Sequence, residues 1–316
     1  MKAHPTVVTV TLNPALDQTV TIPRFTAGEV NRVAAVTQVP GGKGVNVASA
    51  LADHGYCVAV TGFLGQDNAG EFEELFARKE IADHFIRLPG PTRVGIKISD
   101  PELGQTTDIN YPGLAPAEFD LRKLHREITD LAGLDHPWFV LGGSVPPGVS
   151  PGIYAELVRQ IRALGKQVVL DTSGEPLRLA LEAGPAIIKP NVHELEELLG
   201  RRLSSSGQVL EAARELRGRG IGLVVVSMGA EGALFVAEQG AVLARPPRIK
   251  ILSTVGAGDA MVAGTVAAQL RGLDLAETAR LATAFSVVAL QRLDASACVG
   301  GVEATLPHVS VEEFRL

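Results

Sequence analysis

Late in the chain, Ser253-Thr254-Val255-Gly256-Ala257-Gly258-Asp259 runs directly into Ala260-Met261-Val262-Ala263-Gly264, a small-residue, apolar stretch of the kind that forms a buried helix. With almost no side chain at Gly256, Ala257 and Gly258, backbone N–H groups can face an anion at the positive end of that helix. Such a hole suits the negative charge of a phosphoryl group in transfer. Asp259, in the first helical turn, can take the proton of the hydroxyl that attacks it. The same residues also spell a glycine turn with an aspartate N-cap, a common feature of α/β proteins.

A second glycine cluster, Pro40-Gly41-Gly42-Lys43-Gly44-Val45-Asn46-Val47, again precedes an amphipathic helix, here with a cation and an amide in its first turns. Lys43 is followed by Gly44, so this is not the nucleotide P-loop, which needs Ser or Thr there, and the third glycine of a dinucleotide loop is replaced by Val47. Backbone bared at Gly42, with Lys43 and Asn46 beside it, suits a polyhydroxylated anion; a plain helix start with a surface lysine has the same spelling. Asp17, at the end of Thr11-Leu12-Asn13-Pro14-Ala15-Leu16, can accept hydrogen bonds from adjacent hydroxyls or sit solvated after an Asn-Pro turn. In Lys189-Pro190-Asn191-Val192-His193-Glu194, the Asn191–Glu194 spacing is that of a helix capping box, whereas Lys189 at a strand end is costly unless an anion meets it. The run Ser227-Met228-Gly229-Ala230-Glu231-Gly232 fits a tight hairpin or a loop against a nucleotide. Ser144, in a Gly/Pro-rich loop, and Arg93 are candidate phosphate contacts with equally plain loop and surface readings. No His/Cys set has metal-ligand spacing, and there is no G-x-S-x-G elbow.

These residues need a scaffold that brings distant segments together. Short β-branched runs at 7–11, 57–61, 138–141, 167–170, 186–188 and 223–226 alternate with helical patterns at 44–54, 68–79, 151–164 and 192–199. That alternation predicts a mostly parallel sheet with helices on both faces, whose ligands sit beyond the carboxyl ends of the strands. Segments 18–39 and 92–111 break the pattern with polar–apolar alternation. They read as extra antiparallel strands outside the main sheet, forming either a small lid or ordinary surface hairpins. Hydrophobic residues make up 46% of the 316, enough for a sizeable core, and no repeat or linker divides the chain. A formal charge of −6 argues against a nucleic-acid partner. Two cysteines are too few for a disulfide framework. No apolar run approaches a membrane span and the first residues read as a strand, so the expectation is a soluble cytoplasmic protein with no membrane partner.

Taken in order, residues 41–48, the Lys189-Pro190-Asn191 segment with Glu194, the Ser227–Gly229–Gly232 loop and the Thr254-to-Asp259 segment together resemble the ribokinase-like (PfkB) family of carbohydrate kinases, over residues 9–301. The Thr11-to-Asp17 segment and Gly62-Phe63-Leu64-Gly65 look like its phosphosugar branch. The resemblance implies a three-layer, doubly wound α/β fold with a small β-sheet lid. It implies one kinase domain over 1–316, with lid strands inserted at 18–39 and 92–111. It also implies ATP-dependent phosphorylation of a sugar phosphate, with fructose 1-phosphate as the leading substrate and tagatose 6-phosphate or fructose 6-phosphate as alternatives. A catalytically silent sugar-phosphate sensor is the reading from a different class. By resemblance, Asp259 is the base and Gly256, Ala257 and Gly258 form the anion hole. Asp17, Gly42, Lys43 and Asn46 bind the sugar, with Lys43, Arg93 and Ser144 near its phosphate. Lys189, Asn191, Glu194, Gly258 and the loop of Ser227, Gly229, Ala230, Glu231 and Gly232 bind ATP, with Glu194 placing Mg²⁺ through water. The lid resembles a clasp that often forms a dimer interface. Segment 284–297, where the family places adenine and sometimes a monovalent cation, carries no assignable motif, which leaves both sites open.

Overall fold

The computed structural model describes residues 6–134, 138–291 and 301–314. In chain order its strands and helices are β1 (Val7–Thr11), β2 (Ala15–Thr21), β3 (Ala35–Gly41), α1 (Lys43–Ala52), β4 (Val58–Gly65), α2 (Gly70–Arg78), β5 (Ala82–Leu88), β6 (Val94–Asp100), β7 (Gln105–Asn110), α3 (Glu118–Ala132), β8 (Trp138–Gly142) and α4 (Ile153–Ala163). Then follow β9 (Gln167–Asp171), α5 (Gly174–Leu181), β10 (Ile187–Ile188), α6 (Val192–Leu199), α7 (Ser206–Gly218), β11 (Leu223–Ser227), β12 (Ala233–Ala237), β13 (Gly240–Arg245), α8 (Ala257–Leu270), α9 (Leu275–Leu290), α10 (Gly301–Thr305) and β14 (Ser310–Phe314).

Ten strands form the main sheet in the order β14-β13-β12-β11-β10-β9-β8-β1-β4-β5, parallel from β5 to β11 and antiparallel from β11 to β14. All five residues of β1 are buried, as expected for a strand covered on both faces. Alternate side chains feed two cores. Val7, Val140 and Val169 face the layer of α1, α2, α8 and α9, whereas Val8, Phe139, Leu141 and Leu170 face α3, α4, α5 and α7. Helix α8 is apolar nearly all round because both the sheet and α9 cover it. A Cβ on its Gly264 would stand 2.7 Å from the Ala282 Cα, so this pair packs backbone to backbone.

The α/β alternation and the mostly parallel sheet expected from the sequence are present, and the expected strands and helices are there with ends moved by a few residues. Helices α3, α5, α7 and α9 are not among those expected. Helix α5 opens Gly174-Glu175-Pro176, which reads as a turn. It nevertheless buries Leu177, Ala180 and Leu181, and packing decides against local propensity. The second sheet, β3-β2-β6-β7, takes its strands from the two segments expected to lie outside the main sheet. They are not all antiparallel as expected: each segment folds as an antiparallel pair, and β2 and β6 join the pairs in parallel. Strand β2 begins at Ala15, before position 18, so Asp17 lies within this sheet, in register with Val39 and Gly95, and not in a loop leaving the main one. Only Val20, Ile22 and Ile98, backed by Phe25 and Ile96, form its small core, and Val36 and Ile109 are exposed. No helix among the described residues is long and apolar enough to cross a membrane.

Candidate active site

The carboxyl ends of β1, β8, β9 and β10 share one edge of the parallel sheet, and the helix starts of α1, α6 and α8 meet them there. Helix α1 can approach because its N-cap, Gly42, and its second residue, Gly44, are glycines. Gly42, the N-cap residue, has φ 116°, and a Cβ on Gly44 would stand 2.3 Å from the Thr11 Oγ1. Gly142 does the same from β8, where a Cβ would lie 3.1 Å from that of Lys43.

Asp259 is buried in the first turn of α8, after Gly256 in the left-handed conformation at φ 75°. Asn46 Nδ2 donates to its Oδ2 at 2.7 Å. Burial pushes the Asp259 carboxyl up to about 6, the negative charge of Asp171 acts in the same direction, and the Asn46 hydrogen bond and the Lys43 and Lys189 cations oppose it. Residues 257–259 open the helix, where N–H groups have no intrahelical acceptor, so the carboxyl stands beside a ready anion site. Such a carboxyl is ionised above pH 6, can accept a hydroxyl proton, and is flanked by cations able to meet phosphoryl charge.

Those cations converge on Asp171, the last residue of β9. Lys43 Nζ donates to Asp171 Oδ1 at 2.8 Å, and Lys189 Nζ lies 3.4 Å from the same oxygen. A Cβ added to Gly258 would stand 3.4 Å from Lys189 Nζ, which brings that ammonium against the start of α8. Burial would raise the Asp171 carboxyl, but Lys189 and Lys43 hold it below the usual carboxylate range. Burial would lower the Lys43 ammonium, but Asp171 holds it above the ordinary lysine value. The sequence expectations omit Asp171. It belongs to no motif, yet a charged residue closing the apolar run Val168-Val169-Leu170 is the same signal that marks Lys189.

A second group surrounds the loop after β1. Arg93 donates through Nε and Nη2 to the Asn13 carbonyl and through Nη1 to that of Tyr111, and Asn13 Nδ2 donates to Ser144 Oγ at 3.2 Å. Burial lowers the Arg93 guanidinium against the pull of Asp17, and it raises Asp17 against those of Lys97 and Arg93. The Asp17 carboxylate fits only because its neighbours are glycines, since Cβ atoms on Gly41 and Gly95 would come within 2.3 and 2.9 Å of its oxygens. Asp17 and Asn46 line a 490 Å³ cavity with Lys97, Val255 and Gly256. Phe285, Val288 and Ala289 of the unassigned 284–297 segment line it too, and residues 292–297 of that segment lie outside those described.

A third group lies at the ends of β10 and β11. Asn191 and Glu194 form a reciprocal capping box: Glu194 N donates to Asn191 Oδ1 and Asn191 N to Glu194 Oε2. Asn191, with Ser227, Gly229 and Glu231, borders a 360 Å³ cavity, and Glu194 lies outside its walls. Gly229, Ala230 and Glu231 form one 3₁₀ turn. Gly232 has its back to β13, where a Cβ would strike the Ala244 carbonyl oxygen at 2.0 Å, so its hairpin role is set by the fold.

Residues 10–300 match the pfkB family carbohydrate kinase profile. The chain belongs to the pfkB family of carbohydrate kinases. Among its pfkB relatives, the 1-phosphofructokinase of Rhodobacter capsulatus is 55% identical over 90% of each chain, and that of Xanthomonas campestris is 47% identical over 91% of this chain and 92% of the other. The pfkB fold is also that of phosphofructokinase-2 from Escherichia coli, solved with fructose-6-phosphate (TM-score 0.88, 28% identity, 96% and 98% of the two chains). A Thermotoga maritima structure described as a possible 1-phosphofructokinase has TM-score 0.88 and 30% identity, covering 98% and 99%.

Proposed function

We propose that the chain transfers the γ-phosphoryl group of ATP to D-fructose 1-phosphate, giving fructose 1,6-bisphosphate and ADP. The observation that carries this reading is the buried Asp259 carboxyl, held by Asn46 at the opening of α8 and next to the Lys43–Asp171–Lys189 cluster. The choice of sugar rests on the names of relatives at 40–55% identity.

In this reading the free hydroxymethyl group of the sugar points at Asp259, which takes its proton as the oxygen attacks the γ-phosphorus. The N–H groups of Gly256, Ala257 and Gly258 hold the charge of the transferring group. Asp17, Gly42 and Asn46 bind the ring hydroxyls, and Lys43, Arg93 and Ser144 serve the existing phosphate. Since Arg93 already donates to two carbonyls, its part is to hold the Asn13–Ser144 loop as much as to offer charge. Lys189, Asn191 and the 227–232 loop take the nucleotide. Glu194 keeps Oε1 free of its cap bond, which suits a water of a metal arriving on nucleotide phosphates; Mg²⁺ retains waters and uses few protein carboxylates. Bound Mg²⁺ would neutralise charge on the β- and γ-phosphates. The Escherichia coli phosphofructokinase-2 has been solved with potassium, but the monovalent-cation question for this chain stays with segment 284–297.

The second sheet is the lid of a single kinase domain spanning the chain, closing over the 490 Å³ cavity to exclude water. Its exposed Val36 and Ile109 suit a homodimer through the lid, and a monomeric mass by light scattering at working concentration would remove that part of the reading. An enzyme that spends ATP on a phosphosugar belongs in the cytoplasm.

The test is ADP release with MgATP against fructose 1-phosphate, tagatose 6-phosphate, fructose 6-phosphate and fructose. The expected result is the highest kcat/KM for fructose 1-phosphate; equal turnover of tagatose 6-phosphate would sink the narrow substrate assignment. A second expected result concerns pH. Because Asp259 must be ionised, kcat/KM should fall on the acid side with a midpoint near 6. A profile flat down to pH 5 would take Asp259 out of the role of base.

A further inference from the structure

We propose that Asp171 is a positioning residue that ties Lys43, on the sugar side, and Lys189, on the nucleotide side, into one two-cation unit facing the transferring group. The inference rests on the kinase reading above.

The geometry is specific. One carboxylate oxygen, Asp171 Oδ1, serves both ammonium groups, at 2.8 Å and 3.4 Å. The side chain of Asp171 is 2% exposed and that of Lys189 7%, whereas Lys43 keeps 34% and so reaches toward ligand. The other oxygen, Oδ2, is buried without a hydrogen-bond partner among the described residues, so within the described protein it is the lysines that hold the carboxylate. Its backbone is fixed as well. Gly142 of β8 lies in register with Asp171, and Gly143 N donates to its carbonyl, so the loop carrying Ser144 hangs from the same residue. Charge explains why one acid stands between two bases. Without it, a buried Lys189 and a half-buried Lys43 would repel each other across the place where, in the proposed reaction, a phosphoryl group sits. With it, each lysine has a fixed position before either substrate arrives, and displacement of one is felt by the other.

The groups facing Asp171 are Lys43 from α1, Lys189 after β10, Tyr154 from α4 and Asp259 from α8. Those facing Asp259 are Asp171, Lys43, Lys189 and the Asn46 amide, and Glu194 adds its charge to the surroundings of Lys43. Removing the Asp171 charge therefore withdraws one of the influences that raise Asp259.

The experiment is kinetic analysis of Asp171→Asn after the wild-type protein has been shown to turn over fructose 1-phosphate. Failure of the kinase reading then appears in the wild type, and failure of this inference only in the variant. The expected result is a kcat lower by about 100-fold, as for misplacement of reacting groups by about 1 Å. KM should rise for both fructose 1-phosphate and MgATP, and the acid limb of kcat/KM should move to lower pH than in the wild type. Wild-type kcat with both KM values unchanged would overturn the proposal. So would a variant that merely melts at lower temperature while its kcat per folded molecule and its acid limb stay put. If the variant does not fold, the wild-type protein decides. After reductive carbon-13 methylation, the Lys43 amine should titrate above the exposed lysines of the same protein by NMR, and titration with or below them would show that Asp171 does not hold it.

Discussion

Asp259→Asn should lower kcat by about 10²–10⁴-fold, the span that a positioned general base supplies, while fructose 1-phosphate still binds within a few-fold of wild type. The amide keeps an oxygen to accept from Asn46 Nδ2, so the start of α8 and the sugar contacts should survive. The same change should make the protein more stable at neutral pH. The folded-state pKa of about 6 lies above the ordinary aspartate value of 3.8, so the folded protein favours the neutral acid. The resulting stabilisation is fully present below about pH 4, is lost as pH rises through 6, and leaves the ionised group as a cost of about 3 kcal/mol at pH 7. Thermal unfolding at pH 7.5 should therefore show a higher midpoint for the variant, and the difference should shrink toward pH 4. A variant that is both inactive and less stable at pH 7.5 would mean that Asp259 is structural.

Gly62→Ala should have the largest effect on stability outside the catalytic residues, about 3 kcal/mol or more. Gly62 has φ 131°, a conformation costly for alanine, and its added Cβ would stand 1.9 Å from the Thr11 carbonyl oxygen, which is backbone and cannot rotate away. Strand β1 would have to shift, and the Leu12-to-Asp17 segment with it, so KM for the sugar phosphate should rise along with the fall in melting temperature. An alanine variant that melts and binds like the wild type would show that the β1–β4 contact is looser than it stands here. The motif Gly62-Phe63-Leu64-Gly65 thus has a steric cause at both ends, because a Cβ on Gly65 would come 2.1 Å from the Thr92 backbone nitrogen.

The sequence made the fold legible wherever local pattern and burial agree. Strand β1 and helix α6 have the ends that their residue patterns predict. Helix α5, with Gly174 and Pro176 in its first turn, was hidden because its burial depends on partners far along the chain. The site divides in the same way. Glycines before helices announce the backbone N–H groups, and Lys43, Asn46, Lys189 and Asp259 are visible beside them. What no spacing could show is that Lys43 and Lys189 share one oxygen of Asp171, since that depends on β9 lying between β8 and β10. The Asp17 position was legible as chemistry but not as architecture, because only the register of β2 with β3 and β6 puts two glycines against its carboxylate.

The contact between Asn46 and Asp259 joins residues 213 apart in sequence, and that between Lys43 and Asp171 joins residues 128 apart. During synthesis, α1 and β1 therefore emerge long before the helix that carries Asp259. A nascent chain stopped after β13 would own the parallel strands and both lysines, yet lack Asp259, the base of the proposed mechanism. On the proposed mechanism, the capacity to spend ATP therefore waits until α8 has emerged and docked against α1 and α9, and a chain released before that point should be catalytically inert.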